Sequence, residues 1–123
     1  MKMPLTIQTA VLKYKTSGGT YNEVDCLKGD STEISTITGS TPIISAASNT
    51  LYIGGECSTL SFTPAASGIS GVIFESGSTP TVLTVPNTVI WPGWFDPTAL
   101  ETDTIYELSV VDGIYGVVAT WQA

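Results

Sequence analysis

A chain of 123 residues, 42% apolar and only 12% charged, has enough apolar matter for the core of one modest domain and unusually few charges to cover it. Four Lys stand against eleven acids with no His, and every cation falls within residues 1–28, so that segment carries +2 while residues 29–123 carry −9. An acidic body repels phosphate and four scattered lysines form no basic patch, which excludes nucleic acid and an anionic membrane surface as partners.

The chain reads in three parts. In residues 1–28, IQTAVLKYK and TYNEVDCL flank SGG. A turn at Gly18-Gly19 predicts a hairpin with Lys13 opposite Val24 and Tyr14 opposite Glu23. A lone hairpin is marginal in water, so this arm has to find a partner. GDSTEISTITGS, residues 29–40, is polar and short of core residues, the composition of a connector. MKMPLTIQTA holds no apolar run of secretory length, and no stretch approaches the ~20 apolar residues of a membrane span. The expectation is therefore a chain made and kept in the cytoplasm, or released by lysis.

Residues 41–123 carry dense β punctuation. LYIGG and TLSFTP form one predicted strand pair, ended by Pro64, and SGVIFES and TVLTV another around GSTP. Pro86 and Pro92 confine VPNTVIWP to an edge strand or an ordered loop. DPTALE supports a single helical turn, with Asp96 as cap and Pro97 at its first position. In TIYELSVVDGIYGVVATW, Asp112-Gly113 is a favoured type I′ turn and predicts a hairpin pairing Val111 with Ile114. That register places Val110, Leu108 and Tyr106 opposite Tyr115, Val117 and Ala119 on one apolar side, and leaves the other side half apolar, suited to a second sheet or a neighbouring subunit. The sum is an all-β chain: an N-terminal hairpin arm followed by a compact antiparallel β-sandwich or barrel, jelly-roll-like, of seven or eight short strands.

The residue inventory disfavours catalysis. Without His the commonest general base is missing, and Gly18-Gly19 and Gly54-Gly55 lack the context of a phosphate loop. No catalytic, cofactor-binding or metal-ligating residue is assigned. Cys26 and Cys57, 31 positions apart, read as reduced thiols or as a disulfide tying the arm to the body. Glu56 and Glu75 are the best pair for two-carboxylate glycoside hydrolysis, although a domain this small has little room for a cleft. Asp96, Glu101 and Asp103 suggest capping and solvation before a calcium loop, which wants six or more closely spaced oxygens. In WPGWF, the aromatics Trp91, Trp94 and Phe95 either plug the end of the sandwich, pack across a subunit interface, or present rings to a sugar ligand.

IQTAVLKYKTSGGTYNEVDCLKGD resembles the N-terminal segment of small virion appendage proteins from bacteriophages of Gram-positive hosts. LYIGGECSTLSFTPAASGISGVIFESGSTPTVLTVPNTVIWP with TIYELSVVDGIYGVVATW is similar to the C-terminal β-domain of phage head-fibre, capsid decoration and tail-appendage proteins. The resemblance implies a non-enzymatic virion component without cofactor, often a homotrimer, anchored by its N-terminal segment to other proteins of capsid or tail. On this chain the anchoring residues would be Lys13, Tyr14, Lys15 and Lys28. It implies location in the virion, after assembly in the bacterial cytoplasm. Lys28-Gly29-Asp30 occurs once and does not open a Gly-X-Y repeat, so a compact knob is expected rather than a long fibre. The other reading is a receptor- or carbohydrate-binding tail appendage that uses the aromatics at 91–95 on host-surface glycan.

Overall fold

The computed structural model describes Lys13–Lys15, Tyr21–Glu23 and residues 32–123, and the chain divides into two compact units at Thr32/Glu33. In the first unit, β1 (Lys13–Lys15) pairs antiparallel with β2 (Tyr21–Glu23), with Lys13 opposite Glu23 and Tyr14 opposite Asn22. The arm hairpin is present, one residue out of the expected register. Lys28 and Cys26 lie outside the described residues, and with Cys26 the disulfide expectation.

The second unit contains β3 (Glu33–Thr36), β4 (Ile43–Ser45), β5 (Thr50–Glu56), β6 (Thr59–Thr63), β7 (Ile69–Ser76), β8 (Val82–Thr84), β9 (Thr104–Val111) and β10 (Tyr115–Gln122). Two sheets face each other, one of five strands in the order β10-β9-β7-β5-β3 and one of three in the order β4-β6-β8. The all-β, two-layer expectation stands. Strand β3 extends the larger sheet into the stretch expected as connector, because Glu33–Thr36 pairs with Thr50–Ile53. No helix among the described residues is long enough and apolar enough to cross a membrane.

Pairing differs from the antiparallel expectation. In the second unit only β9/β10 and β9/β7 run antiparallel; β3/β5, β5/β7, β4/β6 and β6/β8 are all parallel. From β3 to β8 successive strands alternate between the two sheets, so the chain winds as a flattened coil. Glu33 meets its lateral partner Thr50 after 17 residues and Thr50 meets Ser70 after 20. Parallel neighbours need a crossover, and here a strand of the opposite sheet supplies it in place of a helix. The connections are corners that stack on one another: Ser58 N–H donates to Ser40 O (2.7 Å), and Val82 N–H donates to Ser58 O (2.9 Å). Pairs that look like hairpins in the sequence, LYIGG with TLSFT and SGVIFES with TVLTV, therefore bend from sheet to sheet.

Alternation builds the core. Phe62, Leu60, Ile44 and Leu83 from the small sheet meet Val72, Phe74, Tyr106, Leu108 and Val110 from the large one, all buried. Fully burying such a side chain contributes about 1.5–3 kcal/mol each before entropy is counted. The outer face of the small sheet turns Ser45, Thr59, Thr63 and Thr84 to water, together with exposed Ile43 and Val82.

The terminal hairpin keeps its Asp112-Gly113 turn, both residues at positive φ, closed by Ile114 N–H donating to Val111 O at 3.0 Å. Its ladder is nevertheless slipped by one residue from the expected register: Val111 pairs with Tyr115, Leu108 with Val118, and Tyr106 with Thr120. The cause lies in the segment expected as an edge strand or ordered loop. It is a loop in which Ile90 N–H donates to Ile114 O (2.7 Å) and Ile90 O accepts from Gly116 N–H (2.8 Å), drawing Ile114 out of the ladder. A one-residue slip exchanges the two faces of a strand. Gly116, Val118 and Thr120 thus lie on the inner side, while Tyr115, Val117 and Trp121 are turned outward and exposed. DPTALE forms a turn rather than a helical turn: Ala99 N–H donates to Asp96 O (3.1 Å), the Asp96 carboxylate accepts from Thr98, and Leu100 then drops into the core.

Candidate functional site

Two surfaces stand apart from ordinary solvated sheet. The first is the outer face of the five-stranded sheet. Across it run Ile34, Leu51, Gly71, Ser109 and Val117 in one lateral row, with Thr36, Ile53, Ile73, Glu107 and Ala119 in another. Ile69, Val111 and Tyr115 form a third row, and Glu75, Ile105 and Trp121 a fourth. Ile34, Ile69, Tyr115, Val117 and Trp121 are each 50–58% exposed. Strand spacing and rise give this face a plan area of roughly 500 Å². Gly71 keeps its centre flat, because a Cβ there would press the Leu108 carbonyl at 3.0 Å and Leu51 Cδ1 at 3.2 Å.

The second surface is where residues 91–101 cross the inner side of the β9/β10 hairpin. No strand of the small sheet covers that side, so the loop does. Phe95 is buried and meets Trp91 edge-on at 5.2 Å and Tyr106 at 6.0 Å. Trp91 is half-buried over Gly116, whose missing side chain makes room for the indole. These two aromatics plug the open end of the sandwich. Trp94 does not: it contacts Phe95 edge-on at 6.0 Å and stays 64% exposed.

Beside Trp94 is a hollow of about 150 Å³ walled by Asp96, Glu101, Thr104, Tyr106 and Thr120. The loop is set by short hydrogen bonds. Phe95 N–H donates to Pro92 O at 2.9 Å, and Glu101 N–H donates to the Tyr106 hydroxyl at 2.8 Å. The Thr98 hydroxyl (2.6 Å) and N–H (2.9 Å) both donate to one oxygen of Asp96, and these bonds hold its carboxyl below the usual carboxylate range. Two larger hollows, of about 420 and 500 Å³, lie along β8 and share Leu83 and Thr98 in their linings.

The remaining expected residues are placed as follows. Lys13, Tyr14 and Lys15 make up β1. Glu56 and Glu75 are brought together as lateral partners on β5 and β7, past the irregularity in register between Ile53 and Glu56. Neither lines any of the three hollows. Among the described residues Asp96, Glu101 and Asp103 do not converge into a group able to hold a metal ion. Burial pushes the Cys57 thiol up, Glu56 adds to this, and a hydrogen bond with Thr81 works against it.

Sequence reasoning missed Thr81, a buried hydroxyl that donates to Cys57 O at 2.6 Å while its own N–H donates to Ser76 Oγ at 3.0 Å, stitching a corner together. It missed Thr104 and Thr120 beside Trp94, because only the slipped register turns Thr120 inward. No family model, curated protein or solved structure matches this chain.

Proposed function

We propose that the protein is a non-enzymatic structural subunit of a phage virion, a capsid decoration or head-fibre protein that self-associates through the outer face of its five-stranded sheet. The observation that carries this reading is the set of exposed Ile34, Ile69, Tyr115, Val117 and Trp121 on that face. The plan area, enlarged by protruding side chains, approaches the ~800 Å² per partner of a standard interface. Glu75, its lateral partner Glu56 and Glu107 bring charge to this face; Asp96, Glu101, Asp103 and Asp112 lie in loops. A second copy suits this surface because it offers the same apolar rows. Self-association also supplies the cover that a chain with 12% charged residues otherwise lacks. A homotrimer fits the resemblance, with three such faces turned to a common axis and the arm left to dock on a capsid or tail protein.

The test is the solution mass of the full chain by light scattering behind a sizing column. Three chains are expected, and Val117→Glu should return the mass to one chain without loss of β-sheet circular dichroism. A wild-type protein that runs as a single chain at every concentration overturns the self-association.

A further inference from the structure

We propose that the hollow at Trp94, bounded by Asp96, Glu101, Thr104 and Thr120, is a binding site for a single neutral pyranose residue. Four observations lead there, independently of the virion reading. An indole that is 64% exposed, with Phe95 behind it and water in front, offers a flat apolar platform that packing leaves uncovered. The C–H face of a pyranose matches such a platform, whereas its hydroxyl rim needs acceptors and donors at the edge. The walls provide both: the carboxylate oxygens of Asp96 and Glu101 accept, as does the Thr104 hydroxyl, whose own proton goes to Thr102 O at 2.8 Å, and the Thr120 hydroxyl donates. Sugar hydroxyls donating to a carboxylate make charge-assisted hydrogen bonds, roughly twice as strong as neutral ones.

Size and charge narrow the ligand class. About 150 Å³ is the space of about five waters at ~30 Å³ each, enough for one ring and too little for an embedded chain. A glycan would therefore present one residue here and run off over the surface. Residues 29–123 contain no cation to neutralise Asp96 and Glu101, so a uronate, a sialylated sugar or a sugar phosphate meets repulsion. Phe95 and Tyr106 are buried edge and wall rather than free faces, so the aromatics present one plane and not the cage that a quaternary ammonium prefers.

The site is pre-organised. Two turns in succession, the first enclosing Trp94 and closed by Phe95 N–H to Pro92 O, the second following it and closed by Ala99 N–H to Asp96 O, fix the backbone here. Thr98 donates twice to one oxygen of Asp96 and so restrains the carboxylate. The Glu101 N–H bond to Tyr106 pins the far end of the loop to β9. Ordering such a loop before binding removes a cost that a floppy one meets on association.

The experiment titrates the full-length protein with methyl glycosides of glucose, galactose and N-acetylglucosamine, following tryptophan indole N–H resonances, with glucuronate and tetramethylammonium as controls. The expected result is a saturable millimolar shift of the Trp94 resonance with at least one neutral sugar and none with glucuronate. By calorimetry with the same sugar, Trp94→Ala should abolish binding and Glu101→Gln weaken it at least fivefold. Both side chains are exposed, so the thermal midpoints of these variants should match wild type. The proposal is overturned if no neutral sugar shifts the resonance, if glucuronate binds equally well, if Trp94→Ala retains binding, or if tetramethylammonium alone occupies the hollow.

Discussion

Gly116 and Gly55 are the same residue type in two strands of one sheet, yet they stand under opposite constraints. A Cβ at Gly116 would overlap the Trp91 ring, while a Cβ at Gly55 meets nothing within 4 Å. Overpacking of this kind costs about 1–3 kcal/mol, because the indole can move only by unseating Phe95. Gly116→Ala should therefore lower the urea midpoint by about that much and alter tryptophan fluorescence. Gly55→Ala should stay within about 0.5 kcal/mol, as substitutions in open space do. Equal effects at the two positions would show that Trp91 is not seated on β10.

At the scale of elements, the tip of the β9/β10 hairpin is held by a two-way clasp. Asp112 N–H donates to Gly68 O at 2.8 Å, and the Asp112 carboxylate accepts from Gly68 N–H at 3.0 Å. Both residues sit at positive φ, 55° for Asp112 and 75° for Gly68. Two substitutions separate backbone from side chain. Asp112→Gly keeps the conformation and loses only the carboxylate bond, a cost of about 1 kcal/mol. Asp112→Ala adds the strain of a left-handed residue, a further 1–2 kcal/mol or so. Thermal midpoints should fall in the order wild type, Asp112→Gly, Asp112→Ala, at about 4–8 °C per kcal/mol. The reverse order of the two variants would mean that the turn does not carry its strain at Asp112.

At the scale of the molecule, the division at Thr32/Glu33 separates the chain's lysines from the body's acids. Among the described residues the core, from Ile44 to Val110, belongs to the second unit. Removing residues 1–28 should leave a protein that unfolds in one cooperative transition, with a midpoint within a few degrees of the full chain. If the arm is the anchor, that truncation should fail to bind virions that the full chain decorates. Retained binding would place the anchor in the body.

The sequence by itself determined the β class, the two hairpins, the strand-ending prolines and the acidic body, because these follow from local chemistry: alternation, turn residues, and the charges themselves. It marked WPGWF as special but could not separate Trp94 from Trp91 and Phe95, which differ only in what lies opposite them. Tertiary structure decided the rest. A two-residue link such as Cys57-Ser58 reads as a hairpin turn, and only stacking against the corners at Ser40 and Val82 makes it a bend between sheets. The register of the last hairpin was likewise decided from outside, by Ile90 claiming the backbone of Ile114 and Gly116. Since side chains alternate with period two, that single residue of slip turned Tyr115, Val117 and Trp121 to the surface and Thr120 inward. Both candidate surfaces thus depend on a non-local pair of hydrogen bonds that no local pattern encodes.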